Sequence, residues 1–130
     1  MLLTSQNTIE LLNQNAETKN GVDLLIDLGM RSERNTVTFG VISKTVSYGA
    51  RILRMLDMKL DKGTNAKLPK IEFQFLECEY LDEPVSAGDM DYHGEVESNY
   101  TVFKVYKFHD LDGLVVLKAQ NGTYCIVRKI

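Results

Sequence analysis

Two prolines and nine glycines in 130 residues are too few for a linker or a disordered tail, and no stretch is low in complexity. No segment resembles another at a repeat-like offset, which excludes a solenoid and leaves one domain over 1–130 as the expectation. No window approaches 18 apolar residues, so a membrane-spanning helix is not expected. The opening MLLTSQNTIELL lacks both the basic leader and the apolar run of a secretory signal, and a cytoplasmic chain is expected from it. The two cysteines, Cys78 and Cys125, form no C-x-x-C and lie near no histidine cluster, which in a reducing compartment points to two buried free thiols.

The common signatures of catalysis are missing too. Neither G-x-x-x-x-G-K-[ST] nor G-x-G-x-x-G occurs, and neither histidine, His93 or His109, adjoins a nucleophile motif such as G-x-S-x-G. Carboxylates are abundant between 77 and 97, but abundance without a pocket specifies no acid/base pair. A protein that binds rather than catalyses is expected, without cofactor or metal.

Charge is present but unevenly distributed. The net charge is −3, yet residues 31–70 carry nine Lys or Arg against three acids, and residues 71–99 carry nine acids and no base. A total this small gives no general attraction to nucleic acid. A local basic face can still bind phosphate, because screening confines interactions to roughly 8–10 Å. The alternative is that the basic and acidic stretches neutralise one another across the fold.

Hydrophobic spacing organises the chain. Thr4 or Ser5 can cap a helix through QNTIELLNQNA, and NGVDLLIDLG reads as a short second helix with Asp23 in its first turn and Gly29 as its C-terminal cap. Between 40 and 61, Ile42, Val46, Gly49, Leu53, Leu56 and Leu60 fall within roughly 80° of arc, while Ser43, Lys44, Ser47, Arg51 and Arg54 point away: an amphipathic helix with a basic outer face. The polar loop DKGTNAKLPK adds Lys62, Lys67 and Lys70.

After the loop the period falls to two. IEFQFLECEYL changes phase midway, as a bulged strand or one buried on both faces would. YTVFKVYKF, GLVVLKA and TYCIVRK are further strands, the last two joined through Asn121-Gly122, which suits a two-residue type I′ turn. The expectation is an α+β fold, with N-terminal helices (about 1–61) packed on a C-terminal antiparallel sheet of four or five strands (about 70–130).

DMDYHGEVE, residues 89–97, is the most charged of these segments. As a regular strand it points Asp89, Asp91, His93, Glu95 and Glu97 to one face and Met90, Tyr92 and Val96 to the core. Neighbours on that row lie about 7 Å apart, too far to converge on a cation at about 2.4 Å, and the EF-hand pattern is absent. The row is therefore a solvated face or a contact surface for a basic partner.

Two resemblances concern nucleic acid. FGVISKTVSYGARIL resembles the recognition-helix region of helix-turn-helix repressors, with Gly40, Val41, Thr45, Val46 and Ser47 at that motif's spacing; Asn35-Thr36-Val37-Thr38 departs from its first helix. FGVISKTV followed by a helix and LPKIEFQFLECEY also resembles the middle of small phage single-stranded-DNA-binding proteins, which implies an oligonucleotide-binding barrel; the two preceding helices depart from its order. Nine of the eleven Phe and Tyr lie in the sheet half, where they can stack on bases or simply pack.

Two functions follow as expectations. The first is nucleic-acid binding, single strands preferred, through Lys44, Arg51, Arg54, Lys59, Lys62, Lys67 and Lys70 with exposed aromatics. The alternative is a protein-binding module or inhibitor, of the kind found among small mobile-element proteins, whose acidic residues Asp89, Asp91, His93, Glu95 and Glu97 imitate phosphate. A second copy of the chain could also close an exposed sheet edge.

Overall fold

Thr4 caps the first helix, α1 (Ser5–Asn15): its hydroxyl accepts from the Asn7 amide at 3.1 Å, and the Asn7 side chain accepts from the Thr4 amide at 2.8 Å. A reciprocal cap of this kind is worth about 0.5–2 kcal/mol. The structure, a computed structural model, describes residues 3–28, 36–37, 52, 55–56, 66–67, 72–78, 89–97 and 102–130. After α1 come β1 (Glu17–Asn20), α2 (Gly21–Asp27), the two-residue strands β2 (Thr36–Val37) and β3 (Ala66–Lys67), and then β4 (Glu72–Cys78), β5 (Met90–Glu97), β6 (Val102–Phe108), β7 (Leu114–Ala119) and β8 (Tyr124–Lys129).

Six of these strands form one antiparallel sheet in the order β1-β4-β8-β7-β6-β5, while among the described residues β2 pairs with β3. The count corrects the expected four or five. The extra strand is β1, whose Glu-Thr-Lys-Asn sequence alternates nothing apolar and borrows its extended form from pairing with β4. Because β1 sits between the helices, the division into a helical and a sheet half is also not clean. The edges, β1 and β5, do not pair with each other, so the described strands form an open sheet and not the barrel implied by the phage-protein resemblance.

Both faces of the sheet are covered. On one, Phe73, Phe75, Val105, Val115, Leu117 and Val127 pack with Leu24 and Leu28 of the α2 segment and with Ile52 and Leu56. On the other, Met90, Phe108, Leu114, Val116 and Ile126 pack with Leu3 and with Leu12 of α1. Burial from both sides explains why central strands β7 and β8 read as unbroken apolar runs. It also explains the phase change in β4: Phe73 and Phe75 serve the first face, Leu76 and Cys78 the second, with no interruption in pairing.

The Asn121-Gly122 hairpin joins β7 and β8 as expected, but its turn differs. The Gly122 amide donates to the Ala119 carbonyl at 3.1 Å, so Gln120 and Asn121 are the central residues and Gly122 follows with φ +89°. The Ala119 amide donates to Thr123 at 2.8 Å and the Asn121 side chain accepts from the Thr123 amide at 3.0 Å. This is a three-residue loop with glycine at the left-handed position, in place of the two-residue turn expected.

Of the expected amphipathic helix, Ile52 and Met55 are helical, and the Leu56 amide donates to the Ile52 carbonyl at 3.2 Å; Ile52 and Leu56 are both buried. The rest of that helix, the cap at Gly29 and the recognition-helix residues Gly40, Val41, Thr45, Val46 and Ser47 lie outside the described residues, while Thr36 and Val37, where the helix-turn-helix motif would have its first helix, are in β2.

Candidate functional site

The acidic strand β5 does not present one row. Met90, Asp91 and Tyr92 pair with Phe108, Lys107 and Tyr106, then the register shifts, and Glu95, Val96 and Glu97 pair with Lys104, Phe103 and Val102. His93 and Gly94 take up the shift, Gly94 at φ +85°, a conformation that favours a residue without a Cβ. An extra residue inverts the side-chain alternation beyond it. Asp91 therefore shares the face of Phe103 and Val105, while Glu95 shares the face of Tyr92 and Tyr106. This corrects the single-face reading of 89–97, and it also corrects the assignment of Tyr92 to the core. Tyr92 is 55 % exposed, whereas Met90 and Val96 are buried.

On the α1 side of the sheet the bulge brings together a set of residues that the sequence does not make adjacent. One row across the strands is Glu95, Lys104, Lys118 and Tyr124; the neighbouring row is Tyr92 and Tyr106. The two tyrosine rings lie 5.5 Å apart between centroids, tilted by 52°. Lys118 Nζ lies 5.7 Å from the centre of the buried Tyr124 ring. Lys104 and Lys118 are direct cross-strand partners, an arrangement that is unfavourable by itself. Among the described residues neither has a carboxylate within ion-pair distance, in contrast to Lys19, which pairs with Glu17 at 3.4 Å and with Asp27. Hydrogen bonding to Asp27 raises the Lys19 pKa above 10.5. Glu95, Val102, Lys104, Lys118, Ala119 and Gln120 line a groove of about 680 Å³ at this end of the sheet.

Compared with protein-family models, curated proteins and solved structures, the chain matches none significantly. The functional reading therefore rests on this geometry.

Of the cations named from sequence, Lys67 lies in β3 with its backbone opposite Thr36. Lys44, Arg51, Arg54, Lys59, Lys62 and Lys70 lie outside the described residues. Of the acidic set, Asp89, Asp91, His93 and Glu95 are exposed, and Glu97 is placed by its backbone alone. Asp91 accepts from His109 Nδ1 at 2.9 Å, with both side chains about half exposed. The pair fastens the start of β5 to the end of β6, where the His109 amide also donates to the Asp89 carbonyl at 3.2 Å. Ser5 donates instead to Asp110 at 2.8 Å, tying α1 to the same corner. Among the described residues no three His, Cys, Asp or Glu converge as metal ligands, and no helix is long and apolar enough to cross a membrane. Burial pushes the Cys78 thiol up and the Cys125 thiol up to about 12, with Glu77 adding to both, so neither is activated as a nucleophile.

The lysine pair and the tyrosine pair were missed in the sequence. A signal for the lysines was present: counting outward from Leu111, the middle of the loop between β6 and β7, sets Lys104 opposite Lys118. Counting outward from the 98–101 loop likewise sets Glu95 opposite Lys104, but no such count sets Tyr92 opposite Tyr106, because the bulge displaces Tyr92 by one residue.

Proposed function

We propose that this protein binds nucleic acid without catalysis, single strands in preference to duplex, and that the Tyr92–Tyr106 and Lys104–Lys118 rows are part of its binding surface. The observation that carries the reading is a large aromatic side chain standing exposed on a sheet face, one row from two lysines aligned across adjacent strands. Like charges placed opposite one another destabilise a sheet, and a phosphate between them would reverse the sign of that contribution. Base stacking on tyrosine contributes about 1–3 kcal/mol per base and is accessible in unpaired strands. Lys44, Arg51, Arg54, Lys59, Lys62, Lys67 and Lys70 belong to the same proposal as further phosphate contacts.

The bulge works against the alternative of a phosphate-mimicking acidic strand. A partner docking on β5 would meet Asp91 and Glu95 on opposite faces of the sheet.

Titration of a fluorescently labelled single-stranded oligonucleotide with wild type and Tyr92→Ala tests the reading. Loss of one stacked base weakens binding by about 5- to 150-fold. The fold should hold, since Tyr92 is more than half exposed. Equal affinity of the two folded proteins removes Tyr92 from the surface and, with it, the principal support for the proposal.

A further inference from the structure

The row next to the tyrosines carries a carboxylate among lysines, and the bulge is the reason Tyr92 stands on the same face as that carboxylate. Without the extra residue at His93–Gly94, alternation would put Tyr92 and Glu95 on opposite faces; with it, Tyr92 shares the face on which Glu95 lines a groove with Lys104, Lys118 and Gln120. We infer that Glu95 reads the base, favouring those with an exocyclic amino group, cytosine, adenine and guanine, over thymine and uracil. The inference rests on the nucleic-acid reading above and deepens it.

The geometry divides the work between the rows. Residues two apart along a strand are separated by about 6.8 Å, so a base stacked on Tyr92 reaches the next row with its edge and its backbone. There the lysine ammonium groups are donors only and suit phosphate. An ionised carboxylate is an acceptor only and suits an amino group. Acceptance from the cytosine amino group is the ordinary way a Glu or Asp recognises that base. Thymine and uracil offer a single N–H flanked by two carbonyl oxygens, and both oxygens repel the carboxylate.

Binding of oligo(dC) and oligo(dT) of equal length, at mildly alkaline pH so that cytosine stays neutral, tests this with wild type and Glu95→Gln. Wild type should favour oligo(dC) about tenfold, the worth of one charge-assisted hydrogen bond. Glutamine offers both a donor and an acceptor, so the ratio should fall to roughly twofold or less in Glu95→Gln. Oligo(dT) should bind that variant more tightly, since a negative charge has left the groove, while oligo(dC) also loses its hydrogen bond to that charge. The ratio, not the affinity, is therefore the readout. Equal binding of the two by wild type, or a ratio kept in Glu95→Gln, overturns the inference and leaves the nucleic-acid reading standing. Binding of neither overturns both.

Discussion

Lys104→Gln and Lys118→Gln, made together, separate what the two lysines do for the fold from what they do for a ligand. In the sheet Lys104 has Glu95 across one side and Lys118 across the other, contributions of opposite sign worth roughly 0.2–1 kcal/mol each. Lys118 loses the repulsion from Lys104 but also its position over Tyr124, worth about 0.5–1 kcal/mol at an exposed site. The two cross-strand terms nearly cancel, and the double variant should lose about 0.5–1 kcal/mol in urea, the worth of the lost contact over Tyr124. Binding should behave differently. Each phosphate contact on a single strand contributes about −0.7 to the slope of log affinity against log salt, so losing two should flatten it by about 1.4. Between about 50 and 200 mM salt that is roughly a sevenfold smaller loss of affinity for the variant than for wild type. Fluorescence anisotropy across a salt series measures the slope directly. An unchanged slope in a folded variant would refute the assignment of these lysines to phosphate. A loss of several kcal/mol in urea would show that they are held in place for the fold.

The bulge and the thiols give two further tests. Gly94→Val places a β-branched residue at φ +85° and should destabilise the protein by about 1–2 kcal/mol, read as a lower urea midpoint; a wild-type midpoint would mean that the strand runs without its bulge. Pulsed alkylation at mildly alkaline pH, followed by mass spectrometry, should modify half-buried Cys78 before Cys125, whose pKa of about 12 leaves almost no thiolate, and the reverse order would contradict the burial of β8. The same thiol links stability to pH: its folded pKa lies above the unfolded value of 9.0, so its stabilising contribution is present below that value and is lost as pH rises through 9 towards 12.

The parts of this fold that could be read from sequence are those specified locally. The Thr4 cap uses residues three apart, the β7–β8 hairpin is announced by Asn121-Gly122 although the turn is centred one residue earlier, and five of the six sheet strands carry apolar alternation or apolar runs. What escaped depends on partners remote in the chain. Glu17–Asn20 is extended only because β4 lies beside it, and nothing in ETKN marks a strand. Helical spacing gives α1 and α2 their apolar sides, but it cannot say that they cover opposite faces of the sheet. For the site, alternation was the wrong guide. One glycine in a left-handed conformation was enough to move Glu95 to the other face from Asp91, and Gly94 read as an ordinary strand residue in HGEVE.

The most direct test is equilibrium binding of labelled single-stranded and duplex oligonucleotides of one sequence to the wild-type protein, at low and at physiological salt. Saturable binding to the single strand, weaker binding to the duplex, and affinity that falls as salt is raised are the expected results. Absence of binding to the single strand at low salt, or tighter binding to the duplex, would contradict the proposed function.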